Sequence, residues 1–372
     1  MISASSPPVW FCRTLCVSVS KSLLCVWLGI AAFRSAPAGA LLAEDAAATQ
    51  KRQLAAIEED VKTEHFAQAA DTLTSFLRTT PHSSANVYRL LAFSQYKLQK
   101  NYEALKTCEL GLALYPSSRP LAEFYILILR EGIPAGERQS RLAELLKQIP
   151  NSPILLRTMG EELMDKDPES TQALSFLSSA AKLSPRDAEA HFFYGESACF
   201  NKEDAVCIRE LARAHEISPR NQYANMQIYT MIAVAEDRLR HPARAEEAFQ
   251  QSMRANKQLT HPSPYAALKY INFLTTQGKD KEAMQVIDEI LKWDISYGPA
   301  HFERAKILSR QGKTDDAAKE AELALQDSRG TPTDLRTYHA FLAKTYFALG
   351  REREARIHQN WIESHQEAGH EN

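Results

Sequence analysis

The sequence predicts an all-α chain, a superhelical solenoid of about nine antiparallel helical hairpins stacked in series. Three observations predict it. Glycine is scarce, 13 of 372 residues, in a chain rich in Ala, Leu, Glu, Lys and Gln, the residues that lose least on entering a helix. Prolines stand at Pro81, Pro116, Pro150, Pro185 and Pro219, with gaps of 35, 34, 35 and 34 residues. Local sequence travels with them. Leu183-Ser184-Pro185-Arg186 returns as Ile217-Ser218-Pro219-Arg220, and Leu177 and Ala180 match Leu211 and Ala214. Further along a turn glycine marks the period: Gly278, Gly312 and Gly350 are each followed five residues later by Ala283, Ala317 and Ala355.

The leader comes first in chain order. Residues 1–43 contain no Asp or Glu, and their charges are Arg13, Lys21 and Arg34. Ser22–Phe33 is an apolar core, followed by Ala36-Pro37-Ala38-Gly39-Ala40 and then by Glu44-Asp45. A basic flank, a short apolar core and an A-x-A site predict a signal peptide over 1–40, cleaved after Ala38 or Ala40, and export to the periplasm, envelope or medium. The alternative is an uncleaved membrane anchor, although the apolar core falls well short of the ~20 residues that span a bilayer. Cleavage removes Cys12, Cys16 and Cys25 and leaves Cys108, Cys199 and Cys207, too few for a disulfide scaffold. Residues 41–50 are expected to be a linker.

The repeats follow, as hairpins near 51–81, 85–116, 119–150, 153–186, 188–220 and 223–257, then 264–297, 298–330 and 336–366. Each pairs two apolar-periodic segments across a short polar turn. Small residues such as Ala92, Gly160, Gly195 and Ala305 in the first segment, and Ala104, Ala173 and Ala283 in the second, let the two helices approach closely. Proline after the second helix ends it. One hairpin cannot bury its own apolar face, so neighbours must stack. The repeats thus occupy 51–257 and 265–366. Residues 258–264 form an irregular join, where the stack is expected to bend or break, and 367–372 a frayed tail. Asp334 is expected to open the last unit.

This pattern resembles the tetratricopeptide repeat family, whose signature is W-x2-L-G-x2-Y followed by A, F and P. Tyr88, Leu91 and Ala92 with Ala104 and Pro116 make one fair copy. Tyr194-Gly195 with Leu211, Ala214 and Pro219 make another, with Cys207 in a small-residue slot. His301, Ala305, Gly312, Ala317, Ala321 and Ala324 form a third without its closing proline. The weakest is Pro120–Pro150, where Arg138 stands in place of alanine. The resemblance implies a right-handed superhelix whose first helices line a concave groove for a protein or peptide partner. The groove residues would be Arg89, Phe93, Tyr96 and Lys97, then Arg157 and Glu161, then Phe192, Glu196 and Phe200, and further on Thr230, Asn272, Phe302, Lys306 and Arg310. The alternative for Phe93, Phe192 and Phe200 is packing between neighbouring repeats. The Lys/Asn pattern with which some members clamp a carboxylate is not visible.

No catalytic, metal or cofactor site is expected. The net charge of −2 (44 Lys and Arg, 46 Asp and Glu) gives no basic field for nucleic acid. Gly312-Lys313-Thr314 resembles the end of a phosphate-binding loop, but Ile307 replaces the required glycine, and Gly312 is better explained as a hairpin turn. His365 and His370 stand in a polar tail. His191 and His301 hold equivalent repeat positions, which argues for packing rather than chemistry. Cys199 and Cys207 flank a short turn, so their α-carbons fall within disulfide reach if the side chains face each other; otherwise both are small buried residues. The function expected is an exported, non-enzymatic scaffold that binds a partner protein or peptide. Alternatives are an accessory to glycan or polymer export, and, least favoured, an enzyme with an unrecognised site.

Overall fold

The computed structural model describes residues 38–365, Ser328 excepted. All but the end of the expected leader, with Cys12, Cys16 and Cys25, lies outside the described residues, as do the 367–372 tail and His370. The chain divides into two units between Ala56 and Ile57. The described part of the first unit is helical and belongs to α1 (Ala38–Lys62), which continues into the second unit. Residues 41–50, expected to be a linker, are therefore helix; their Ala- and Leu-rich sequence favours that state.

The second unit runs from the end of α1 to α18 without a strand among the described residues. The first five hairpins are the end of α1, from Ile57, with α2 (Phe66–Thr79), α3 (Ala85–Lys97) with α4 (Asn101–Leu114), α5 (Arg119–Gly132) with α6 (Ala135–Gln148), α7 (Pro153–Met164) with α8 (Thr171–Leu183), and α9 (Ala188–Phe200) with α10 (Asp204–Ile217). Then come α11 (Gln222–Arg238) with α12 (Pro242–Lys257), α13 (Pro264–Thr276) with α14 (Asp280–Trp293), α15 (Gly298–Arg310) with α16 (Thr314–Leu325), and α17 (Pro332–Ala348) with α18 (Glu352–Ser364). This is a tetratricopeptide-repeat-like solenoid of consecutive helical hairpins.

The proline period has a dihedral cause. Thr80, Tyr115, Ile149, Ser184 and Ser218, each just before a proline, end their helices with φ between −128° and −135° and ψ between 64° and 68°. Proline's ring drives the preceding residue out of the helical region, so five chain reversals share one geometry. Seven of the nine turns inside the hairpins share another. Glu64, Gln99, Lys202 and Arg240, and further along Gly278, Gly312 and Gly350, have φ between 61° and 75°. In each the next residue's N–H reaches back five positions, as from Lys100 to the Gln95 carbonyl at 2.9 Å and from Lys313 to Leu308 at 3.0 Å. That bond closes a Schellman motif.

Close helix approach follows from the small residues. A Cβ on Gly195 would lie 2.7 Å from Leu211 Cγ, and one on Gly160 still closer to Leu177. In α6, Arg138 fills the position other units give to alanine, and its guanidinium donates to the carbonyls of Arg130 and Ile133 at the end of α5. The core is handed from hairpin to hairpin. One cluster runs from Tyr88 in α3 to Ala180 in α8 and takes in Tyr194 of α9. A second joins α9, α10 and α11 through Cys207, Leu211 and Ile228. A third continues from Ala233 in α11 to Ile307 in α15, and the last spans α15 to α18.

The join after α12 does not interrupt this core. The fully buried Asn256 spans it, donating to the Ser263 carbonyl at 2.9 Å and accepting from the Ser263 N–H at 2.7 Å. Phe249 of α12 meets Tyr270 and Phe273 of α13 at ring distances of 5.2 Å. The last unit opens at Pro332, not Asp334: Thr331 caps α17, and Asp334 is the third residue of its capping box.

Histidines at one repeat position bind across their own hairpin. His191 Nδ1 lies 2.7 Å from Glu210 and His301 Nδ1 2.7 Å from Glu320, each across 19 residues. At the same offset His339 Nδ1 meets His358 Nδ1 at 2.8 Å, a bond that requires one nitrogen to lack a proton. Trp361 stacks between His339 and His365 at 3.9 and 4.0 Å. Burial and the neighbouring His358 and His365 push His339 down to about 4, and burial lowers His358 against the pull of Glu322. The unfolded hairpin thus takes up protons more readily than the folded one. The stability held by this pair is complete above pH ~6.5 and is lost as pH falls towards ~4, by about 1 kcal/mol at pH 5 after allowance for solvent screening. Hydrogen exchange of α18 at pH 7.5 and pH 5, corrected for intrinsic rates, checks this; unchanged protection would refute it.

Candidate functional site

The first helices form one continuous face: α3 touches α5, α5 touches α7, and the series continues through α9, α11 and α13 to α15. At its start, Phe93 packs edge-on to Phe66 of α2 and tilted against Phe124 of α5, both at 5.9 Å. It therefore packs between repeats. Tyr96 donates to Glu131 at 2.7 Å, the Lys97 ammonium sits 5.4 Å above the Phe93 ring, and Arg89 binds Asn86 at 2.8 Å.

The middle stretch is ionic. Arg157 lies 3.0 Å from Glu161, 2.5 Å from Glu189 and 3.7 Å from Asp187. Arg130 pairs with Glu161, and Arg119 reaches Glu123 at 2.7 Å and Asp187 at 3.6 Å. Burial raises the Glu161 carboxyl against the pull of these arginines. Along α9, Phe192 is half-buried against Phe193 at 5.4 Å, and Phe200 is 43% exposed. Glu196 lies between them on the same helix face. Thr230, expected on the groove, is fully buried, where its hydroxyl meets Ser252 at 2.7 Å: its face of α11 points at α12.

Beyond α11 the face opens into a cavity of about 430 Å³. Every lining residue comes from a first helix: Tyr265, Lys269 and Asn272 among those from α13, Phe302 and Lys306 among those from α15, and Asp334 and Tyr338 from α17. Phe302 sits 4.6 Å from Tyr338 and 5.4 Å from Phe341. Ammonium groups lie over two of the rings, Lys269 at 5.4 Å from Tyr265 and Lys306 at 5.5 Å from Phe302. Lys306 also pairs with Glu303 at 2.6 Å, and Arg310 with Asp280 at 2.7 Å. The structure thus brings Phe302 and Lys306 together with Tyr265, Lys269 and Tyr338, which sequence reasoning missed. Arg310 serves an inter-repeat ion pair instead.

No family model and no curated protein matches the chain. Among solved structures it is similar to PilW, a widely conserved type IV pilus biogenesis factor, at 19% identity and a TM-score of 0.47, covering 59% of this chain and 95% of that one. It is also similar to the APC/C hetero-tetramer Cut9-Hcn1 at 13% and 0.45, and to yeast Tom70 at 15% and 0.44. These cover 79% and 80% of this chain, which spans 55% and 62% of theirs. At such scores the fold rests on the helices themselves.

Proposed function

We propose that the chain is an exported, non-enzymatic scaffold that holds a segment of a partner protein against its first-helix face. The observation that carries this is the cavity over α13, α15 and α17, lined by first helices alone. Aromatic rings flanked by cationic side chains there offer the anchors on which protein recognition concentrates its energy. A photo-crosslinking residue at exposed Asn272 should give a discrete adduct in envelope extract. The same group at exposed Gln285, on the second helix α14, should not. Equal labelling at both would refute the assignment of the face. Export rests on the leader, so N-terminal sequencing of the protein recovered from cells should begin at Gly39 or Leu41. An intact residue 1 would favour the anchor.

A further inference from the structure

Glu196, in the middle of α9 on the first-helix face, is an acidic side chain without a partner. Several of its neighbours are paired: Glu161 with Arg130 and Arg157, Asp187 with Arg119 and Arg157, and Glu189 with Arg157, while the unpaired Asp165 is exposed to solvent. Glu196 is only partly exposed and makes neither a hydrogen bond nor an ion pair. The charged groups whose fields reach it are both anions, Glu161 of α7 and Asp165 at the end of that helix. Its own field falls on Tyr265 of α13, which together with burial raises that phenol. Arg130 and Arg157 are engaged with Glu161. Burial first, and then the two carboxylates, push Glu196 up to about 7, so near neutrality it is half-protonated for want of a cation.

The surroundings are aromatic. Phe192 and Phe200 lie one helical turn to either side on α9, and Tyr265 is half exposed. A carboxylate set among rings suits a long side chain that lays its aliphatic stem on apolar surface and delivers a charge at its end.

We propose that Glu196 receives an arginine or lysine side chain from the partner segment, and that this ion pair, flanked by Phe200 and Tyr265, is the specificity-determining contact of the face. The proposal rests on the scaffold function given above, which it deepens by naming the partner's chemistry: an extended segment with a basic residue among apolar neighbours. Charge complementarity chooses that occupant. An acidic segment would meet Glu161, Asp165 and Glu196 together, and a neutral one would leave Glu196 unpaired in a less polar setting than it has now.

The test is selection of a random twelve-residue phage-displayed peptide library on the full chain and on its Glu196→Gln variant at pH 8. Binders of the native protein should carry Arg or Lys at a shared position, several-fold above the library. The variant, with an unchanged melting temperature, should lose that preference. A synthetic peptide from the selection should bind about tenfold more weakly at pH 6 than at pH 8, the change in ionised fraction of a group titrating near 7. Its Arg→Gln analogue should lose at least tenfold, and calorimetry in buffers of different ionisation enthalpy should record proton release. Binders without a basic residue, or the same preference on Glu196→Gln, overturn the proposal and leave the scaffold function standing. If no peptide binds either protein, both fall.

Discussion

Replacing Gly160 by valine is expected to destabilise the α7–α8 hairpin by about 3 kcal/mol. Gly160 is buried in the middle of α7, where a Cβ would lie 2.4 Å from Leu177 Cγ and 2.7 Å from its Cδ2. Leu177 is fully buried in α8 and packed on its other sides, so it cannot simply rotate away. The two helices would have to part, and the cluster that runs from α3 to α8 would open at that level. Leu177→Ala alone should cost about 2–5 kcal/mol through its cavity. In the Gly160→Val background it should cost far less, because the new methyls occupy the vacated space. Chemical denaturation of the four proteins of this cycle measures the coupling. Strict additivity would mean that the two residues do not oppose each other. The damage should also fade with distance along the stack, since each hairpin touches only its neighbours.

Reduction of the Cys199–Cys207 disulfide should loosen the next hairpin by about 2–3 kcal/mol on the chain-entropy account. The bond joins the last turn of α9 to the first turn of α10 across 8 residues, with α-carbons 5.0 Å apart. Arg238 of α11 braces the same turn, donating to the Cys199 carbonyl at 3.0 Å and pairing with Asp204. The loss should therefore be local, a fall in hydrogen-exchange protection over α9 and α10 with the outer hairpins unchanged. The Cys199→Ala/Cys207→Ala protein should show the same lowered protection and no further response to reductant. Cys108 should not exchange into the bond: it is fully buried in α4, and burial pushes its thiol well above the usual range. If α10 stays as protected after complete reduction, the neighbouring helices, not the bond, constrain this turn.

The hairpins were legible because two residue types announce them. Proline before each new unit fixes the dihedrals of the residue it follows, and glycine or alanine marks helix contacts where nothing larger fits. The join is the loop its composition announces; what no pattern reveals is that the core carries on across it, with Asn256 bonding twice to Ser263 and Leu259 packed against buried neighbours. Residues 41–50 misled because short, weakly charged sequence is common to linkers and helices.

Face residues were harder. Helical spacing placed Phe302 and Lys306 together, but Phe93 and Phe302 face aromatic partners on adjacent repeats, which spacing within one helix does not show. A usable signal was present. Tyr96–Glu131, Arg238–Asp204, Lys279–Glu246 and Arg329–Asp294 are bonded pairs separated by 35, 34, 33 and 35 residues, close to one period. Complementary groups one repeat apart are neighbours in a stack, and those left without such a complement, Glu196 among them, stand out.

The left-handed turns carry a consequence for the evolvability of the chain. Three of the seven hold glycine, all beyond the join, and four hold residues with a Cβ, all before it. An L-residue gives up roughly 1–2 kcal/mol in that conformation, part of which glycine would lose again as unfolded-state entropy. Glu64→Gly, Gln99→Gly, Lys202→Gly and Arg240→Gly should each raise stability by about 0.5 kcal/mol, and, being far apart, should add to about 2 kcal/mol. The first half of the chain thus holds a reserve of stability that single substitutions can release. That reserve lies at its turns, away from the first-helix face, so a lineage could draw on it to tolerate new and costly side chains on the binding surface without altering the stack that presents them.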